Sequence, residues 1–148
     1  MRDSEGDSGC TRLLLLGAAN MACVLIVDDD ESLRDALRLI LEDANHDALE
    51  ASDGVTALRI LRESQRRLIV LLDMAIPRLH GLDLLRVVVA DPLLKERHVY
   101  LLLTGSPNLL LREAGPLVEE ASAKIVAKPF EIADLLALID AAAERLSA

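Results

Sequence analysis

Short apolar runs that each stop on a polar residue set the frame of this chain. Val24-Leu25-Ile26-Val27 runs into Asp28-Asp29-Asp30, and Leu68-Ile69-Val70-Leu71-Leu72 into Asp73. Tyr100-Leu101-Leu102-Leu103 ends on Thr104, and Ile125-Val126-Ala127 on Lys128-Pro129. Unbroken apolar runs of this length read as strands buried on both faces. In a parallel sheet with helical crossovers, the carboxyl ends of all strands lie along one edge, where ligands bind. Several carboxylates, one hydroxyl and one ammonium then converge on a single crevice. That set of groups suits a divalent metal and a phosphoryl group.

The segments between the runs carry helical signals. Ser32 and the acidic residues before it can cap a helix whose apolar face is Leu33, Ala36, Leu37, Ile40 and Leu41. Residues 46–51 read as a weak second strand. Asp53-Gly54 reads as a turn, and Val55, Leu58 and Leu61 stripe a second helix. A loop with Pro77 and Gly81 leads to a third helix near 82–89, which Asp91-Pro92 ends because the residue before proline avoids helical dihedrals. In 106–122, Leu109, Leu110 and Leu111 suggest a helix and Gly115-Pro116 breaks it. The last helix shows Ile132, Leu135, Leu136, Ile139, Ala143 and Leu146 on one face. Strand and helix alternate five times, so the expected fold is α/β, a doubly wound, five-stranded parallel sheet with helices on both faces.

Composition excludes several classes. The length of 148 residues is about one domain. The core must be aliphatic, since Tyr100 and Phe130 are the aromatic residues. A net charge of −9 argues against direct nucleic-acid binding, which needs clustered Lys and Arg, and stacking platforms are missing. No apolar stretch reaches the ~18 residues of a membrane span. Cys10 and Cys23 make no metal or redox spacing, so Cys23 is read as a small core residue in a reducing, cytoplasmic setting. Residues 1–21 read as an unstructured leader, with Leu13–Leu16 too short for a secretory core of ~7–15 residues. Met21 is a candidate start, and the folded domain is expected over 22–148.

Val24 to Asp30, the Asp73…Pro77…Gly81 loop, Thr104 and Lys128-Pro129-Phe130 together resemble the receiver domain of two-component response regulators, the CheY-like fold. The resemblance covers about residues 22–146. The intervals of 44 residues from Asp29 to Asp73, 31 to Thr104 and 24 to Lys128 suit that family. It implies that Asp73 accepts a phosphoryl group from the phosphohistidine of a sensor histidine kinase or a histidine phosphotransfer protein. It implies Mg²⁺ held by Asp28, Asp29, Asp73 and the backbone carbonyl of Ala75, an oxygen set of the kind this ion prefers. Thr104 would bond the phosphoryl group, Lys128 would pair with its oxygens, and the Lys128-Pro129 bond would be cis. A stand-alone receiver signals by contact with a downstream protein, and receivers often pair as homodimers through their later helices.

Taken singly, each residue has a plainer reading. Asp29 or Asp30 can cap the first helix, Asp73 and Thr104 can be turn residues, and Lys128 can be a solvated surface lysine. His46, His80 and His98 lack ligand spacing and read as structural or exposed. The chain also departs from the family pattern. Ile125 stands where a Tyr or Phe ring usually turns inward, Gly105 where alanine is common, His80 where a short polar residue is common, and Ala75 carries no polar side chain. Two further readings therefore stand beside the first: a receiver-like interaction module that never uses phosphate, and a haloacid-dehalogenase-like phosphohydrolase with Asp28 as nucleophile.

Overall fold

Leu68–Asp73 forms a strand, β3, in which every residue is buried. That is the central position of a sheet covered on both faces, and it explains the unbroken apolar run. The computed structural model describes residues 21–76 and 78–147. In chain order these form β1 (Cys23–Val27), α1 (Glu31–Asp43), β2 (Asp47–Ala51), α2 (Gly54–Glu63), β3, α3 (Gly81–Ala90), α4 (Pro92–Arg97), β4 (Val99–Thr104), α5 (Pro107–Glu120), β5 (Lys124–Ala127) and α6 (Ile132–Ser147). The strands pair in parallel in the order β2-β1-β3-β4-β5. Residues 1–20 of the expected leader lie outside the described residues.

Strand parity divides the core into two layers. Leu25, Val27, Val70, Leu72, Tyr100 and Leu102 face α2, α3, α4 and α5. Val24, Ile26, Ile69, Leu71, Leu101 and Leu103 face α1 and α6, through Leu37, Leu41, Leu135 and Ile139. Each such aliphatic side chain stabilises the fold by about 1.5–3 kcal/mol when fully buried.

Several local readings change. Asp53 does not make a turn: its side chain accepts from Thr56 N and caps α2, which begins at Gly54. The buried face of α2 is Gly54, Ala57 and Leu61, whereas Val55 is exposed, because at about 100° per residue the first three share one side of the helix and Val55 lies beside it. Asp91 ends α3 and also caps a further short helix, α4, with Pro92 in its first turn. Proline lacks only an N–H that a first turn leaves unused, so the same residue stops one helix and starts another. Gly115-Pro116 does not end α5; the helix is instead kinked at Ala114 and continues to Glu120. Cys23 is buried in the core beside Leu25 and Leu68, as its small size suggests. It opens β1, as expected.

Two buried histidines fasten the amino edge of the sheet. His46 Nδ1 accepts from Ala22 N at 3.1 Å, and its Nε2 meets Asp140 at 3.2 Å. His98 Nδ1 accepts from Leu68 N at 2.9 Å while Nε2 lies 3.1 Å from Leu61 O, which places the proton on Nε2. Burial, aided by Arg97 and Arg67, pushes the His98 pKa down from 6.5 to about 4. A depressed histidine pKa contributes stability above the unfolded value and loses it as pH falls toward the folded one. Acidification from pH 6.5 to about 5.5 should therefore cost about 1 kcal/mol through this residue. Urea unfolding across that range should show the loss in the wild type and a flatter profile in His98→Gln.

Candidate functional site

The acidic run after β1 is split three ways by the turn into α1. Asp28 is buried at the strand end, where its N–H donates to Ala51 O of the neighbouring strand β2. Asp29 is exposed. Asp30 leaves the cluster altogether: it is the N-cap of α1, and its Oδ1 accepts from Ser32 N and Leu33 N. The capping reading thus holds for Asp30, and its neighbours remain available.

Parallel pairing then brings the strand ends together. Oxygens of Asp28, Asp29 and Asp73 lie within 4.8 Å of one another. Lys128 Nζ is 3.3 Å from Asp73 Oδ1 and 4.0 Å from Asp28 Oδ2. The Lys128-Pro129 peptide is cis, and Lys128 N donates to Thr104 O at 2.8 Å. Asp73 Oδ1 also accepts from Ala75 N at 3.1 Å. Thr104 Oγ1 accepts from Ser106 N at 3.0 Å, which leaves the hydroxyl proton free to donate elsewhere. The structure therefore brings Asp28, Asp29, Asp73 and Lys128 into one cluster, with Thr104 at the adjoining strand end.

The cluster carries more negative charge than it neutralises. Three carboxylates face one ammonium. Asp28 Oδ1 accepts from Asp30 N, but Oδ2 is buried without a hydrogen-bond partner. Burial raises the Asp28 pKa; the Asp30 N–H opposes this, the Asp73 charge adds to it, and Lys128 offsets part. A buried carboxylate oxygen with no hydrogen-bond partner, beside two more carboxylates, is a donor set that fits a hard dication with oxygen ligands.

The sign of the Asp28 shift makes a prediction. A raised carboxylate pKa contributes stability only in acid and loses it as pH rises through the folded value, so ionised Asp28 weakens the fold at neutral pH. Asp28→Asn should raise the metal-free melting midpoint at pH 7, by on the order of 1 kcal/mol as commonly found when a strained functional group is removed. Calorimetry at pH 7 and again in acid checks it: the gain should shrink as falling pH protonates the wild-type carboxyl.

Sequence reasoning missed what holds the loop after Asp73. Arg78, at φ 62°, places its guanidinium 3.0 Å from Asp53 Oδ2. The Thr56 N–H and, to a lesser degree, Arg78 hold the Asp53 carboxyl below its ordinary range. The carbonyl of Leu79 packs on Gly54, and His80 Nδ1 lies 2.7 Å from Ile76 O. Asp followed two residues later by helix formers is a capping signal that could have placed Asp53; Arg78 gave none. Ile125 pairs in register with Leu102 and packs half-buried against the layer that holds Tyr100. Tyr100 is itself buried, its hydroxyl donating to Leu94 O.

The sheet thus has the order 2-1-3-4-5, with acidic residues at the ends of β1 and β3, a threonine at the end of β4 and a lysine before a cis-proline after β5, the arrangement of a signalling receiver. The family model for the response regulator receiver domain matches residues 24–140, and the chain belongs to that family. It is 35% identical to the chemotaxis protein CheY-3 of Vibrio cholerae, over 83% of this chain and 92% of that one. It is 32% identical to the DNA-binding response regulator MtrA of Mycolicibacterium paratuberculosis, over 82% of this chain and 51% of that one. The chain thus spans about half the length of the MtrA relatives it matches. A CheY-like receiver domain protein from Methanospirillum hungatei superposes with a TM-score of 0.73 at 27% identity, covering 86% of this chain and 98% of that one. Receivers are signalling domains, not classical enzymes, and membership sets the phosphohydrolase alternative aside. No helix among the described residues is long and apolar enough to cross a membrane.

Proposed function

We propose that this receiver takes a phosphoryl group onto Asp73 from the phosphohistidine of a sensor kinase or phosphotransfer protein, in the cytoplasm, and signals by contact of the domain with a downstream protein. The observation that carries the reading is the clustering of Asp28, Asp29 and Asp73 within 4.8 Å beside Lys128. We place the domain at 22–148. Asp73 would bond to phosphorus as the P–N bond to the partner's imidazole breaks, leaving an acyl phosphate. Lys128, already against Asp73, would pair with the phosphoryl oxygens as a point charge on a flexible stem. Thr104 would donate its free hydroxyl proton to one of them. Asp28, Asp29, Asp73 and the Ala75 carbonyl would hold Mg²⁺, which offsets the repulsion between two anions.

Intact-protein mass after incubation with a small phosphodonor, with and without Mg²⁺, tests this. A gain of one phosphoryl group that needs the ion is the expected result. No gain under any condition would point to the phosphate-independent module instead.

Ala75 leaves the position two after the acceptor without a polar group to place an attacking water. The phosphorylated state should accordingly not be unusually short-lived, and Ala75→Asn should decay faster, since its side chain can help place the attacking water. Loss of the added mass with time after donor removal measures both; an equal or slower decay in the variant would sink the idea.

A further inference from the structure

The opposite pole of the molecule, at the amino edge of the sheet, is built of cations. Arg67 precedes β3, His98 precedes β4, Ser122 follows α5 and Arg145 lies in the last turn of α6; with Lys95 and Glu96 of α4 they line a cavity of about 300 Å³. A second cavity of about 230 Å³ shares Arg67 and Glu96 and adds Arg97. The larger volume is at the low end of small-molecule pockets.

The charge here runs against the rest of the chain. With 25 acidic residues and a net charge of −9, acidic partners are plentiful. Arg34, Arg38, Arg59, Arg78, Arg86 and Lys128 all have one, while among the described residues Arg62, Arg112 and Lys124, scattered elsewhere, have none. Among the described residues, Arg67, Lys95, Arg97 and Arg145 form no side-chain ion pair or hydrogen bond. Arg97 Nε is buried and still has no partner, the kind of exception that calls for an explanation. Cations are favoured near helix C-termini, and Lys95, Arg97 and Arg145 sit in last turns. That preference explains their sign, but not two cavities opening between them. His98 closes the floor, with both ring nitrogens already engaged, so the charge of the site comes from the four side chains.

We propose that these adjoining cavities bind a small anion bearing two or more phosphate groups, held by Arg67, Lys95, Arg97 and Arg145. Arginine forks match phosphate oxygens in pairs, and lysine adds a point charge. Four unpaired cations across two neighbouring cavities exceed what one singly charged group neutralises. Glu96 sits between them as an acceptor and suits a ligand that also carries hydroxyl or amino groups. A nucleic-acid strand does not fit, because four cations around a concavity give no extended track. The site lies at the edge of the sheet away from Asp73, where the three carboxylates would repel such a ligand.

Isothermal titration with sodium tripolyphosphate, without added metal, tests the proposal against sodium sulfate at matched ionic strength. Saturable one-to-one binding is expected, weakening as salt rises. The double variant Arg67→Ala/Arg145→Ala removes two exposed side chains, so its urea midpoint should stay in place while affinity drops at least tenfold. Arg86→Ala, which removes a cation on α3 instead, should bind as the wild type does. Anionic-lipid vesicles provide the last arm. Capture by vesicles without a response to tripolyphosphate would overturn the small-ligand reading, as would equal losses in the double variant and Arg86→Ala, or no heat beyond that of sulfate.

Discussion

Asp73→Asn should abolish phosphorylation completely while leaving the fold intact. Asparagine keeps the size of the side chain and an oxygen that can accept from Ala75 N, the bond that Asp73 Oδ1 makes at 3.1 Å. It loses the nucleophilic charge, and an amide does not form an acyl phosphate under these conditions. Removing one carboxylate also relieves repulsion with Asp28, so the variant should melt no lower than the wild type. Intact mass after donor treatment is the readout, with zero gain expected for Asp73→Asn. Substituting Asp28 instead should slow the gain without moving the acceptor, because on the proposed reading Asp28 would supply charge and a ligand oxygen, not the bond to phosphorus. A phosphoryl group found on Asp28 or Asp29 by peptide mapping would overturn the assignment.

Gly54→Ala should destabilise the protein by about 3 kcal/mol, the upper range for forced overpacking. A β-carbon at this position would fall 1.9 Å from the carbonyl oxygen of Leu79 and 2.7 Å from its side chain. The obstacle is mainly backbone and cannot rotate away. Relief requires the loop after Asp73 to lift off the start of α2, which also pulls Arg78 from Asp53. The variant should therefore lose both stability and phosphorylation rate in the fraction that still folds. Gly115→Ala supplies the contrast: nothing lies within 4 Å of its added carbon, and alanine favours the helix, so it should gain about 0.5–1 kcal/mol. Urea midpoints of the two variants, moving in opposite directions, are the measurement. Equal shifts would show that the Leu79 contact yields more easily than the geometry implies.

The legible parts of the chain were those with one strong local signal. β1, β3 and β4 are buried on both faces, so burial wrote unbroken apolar runs that no helix of that length needs. β2 was weaker because it is an edge strand and its middle residues are only half-buried. Where two local signals competed, the reading failed. Pro92 looked like an end and is also a beginning, and Gly115-Pro116 looked like a break and is a kink that flanking helix tolerates. Asp28, Asp29, Asp73, Thr104 and Lys128 could be named in advance because strand ends in a parallel sheet share an edge by topology.

What the sequence determined by itself is therefore the layered α/β class, the order of its strands' polar ends, and the inventory of groups that meet there. Burial, periodicity and capping are local, and each leaves a mark within a few residues. Only the tertiary structure decided the division of labour in Asp28-Asp29-Asp30, the clasp of Arg78 on Asp53 and Leu79 on Gly54, and the gathering of Arg67, Lys95, Arg97 and Arg145 at one pole. These contacts join residues far apart in the chain, or depend on a rotation of one residue about a helix start. Propensity does not encode such distances; packing sets them once both layers of helices have closed on the sheet.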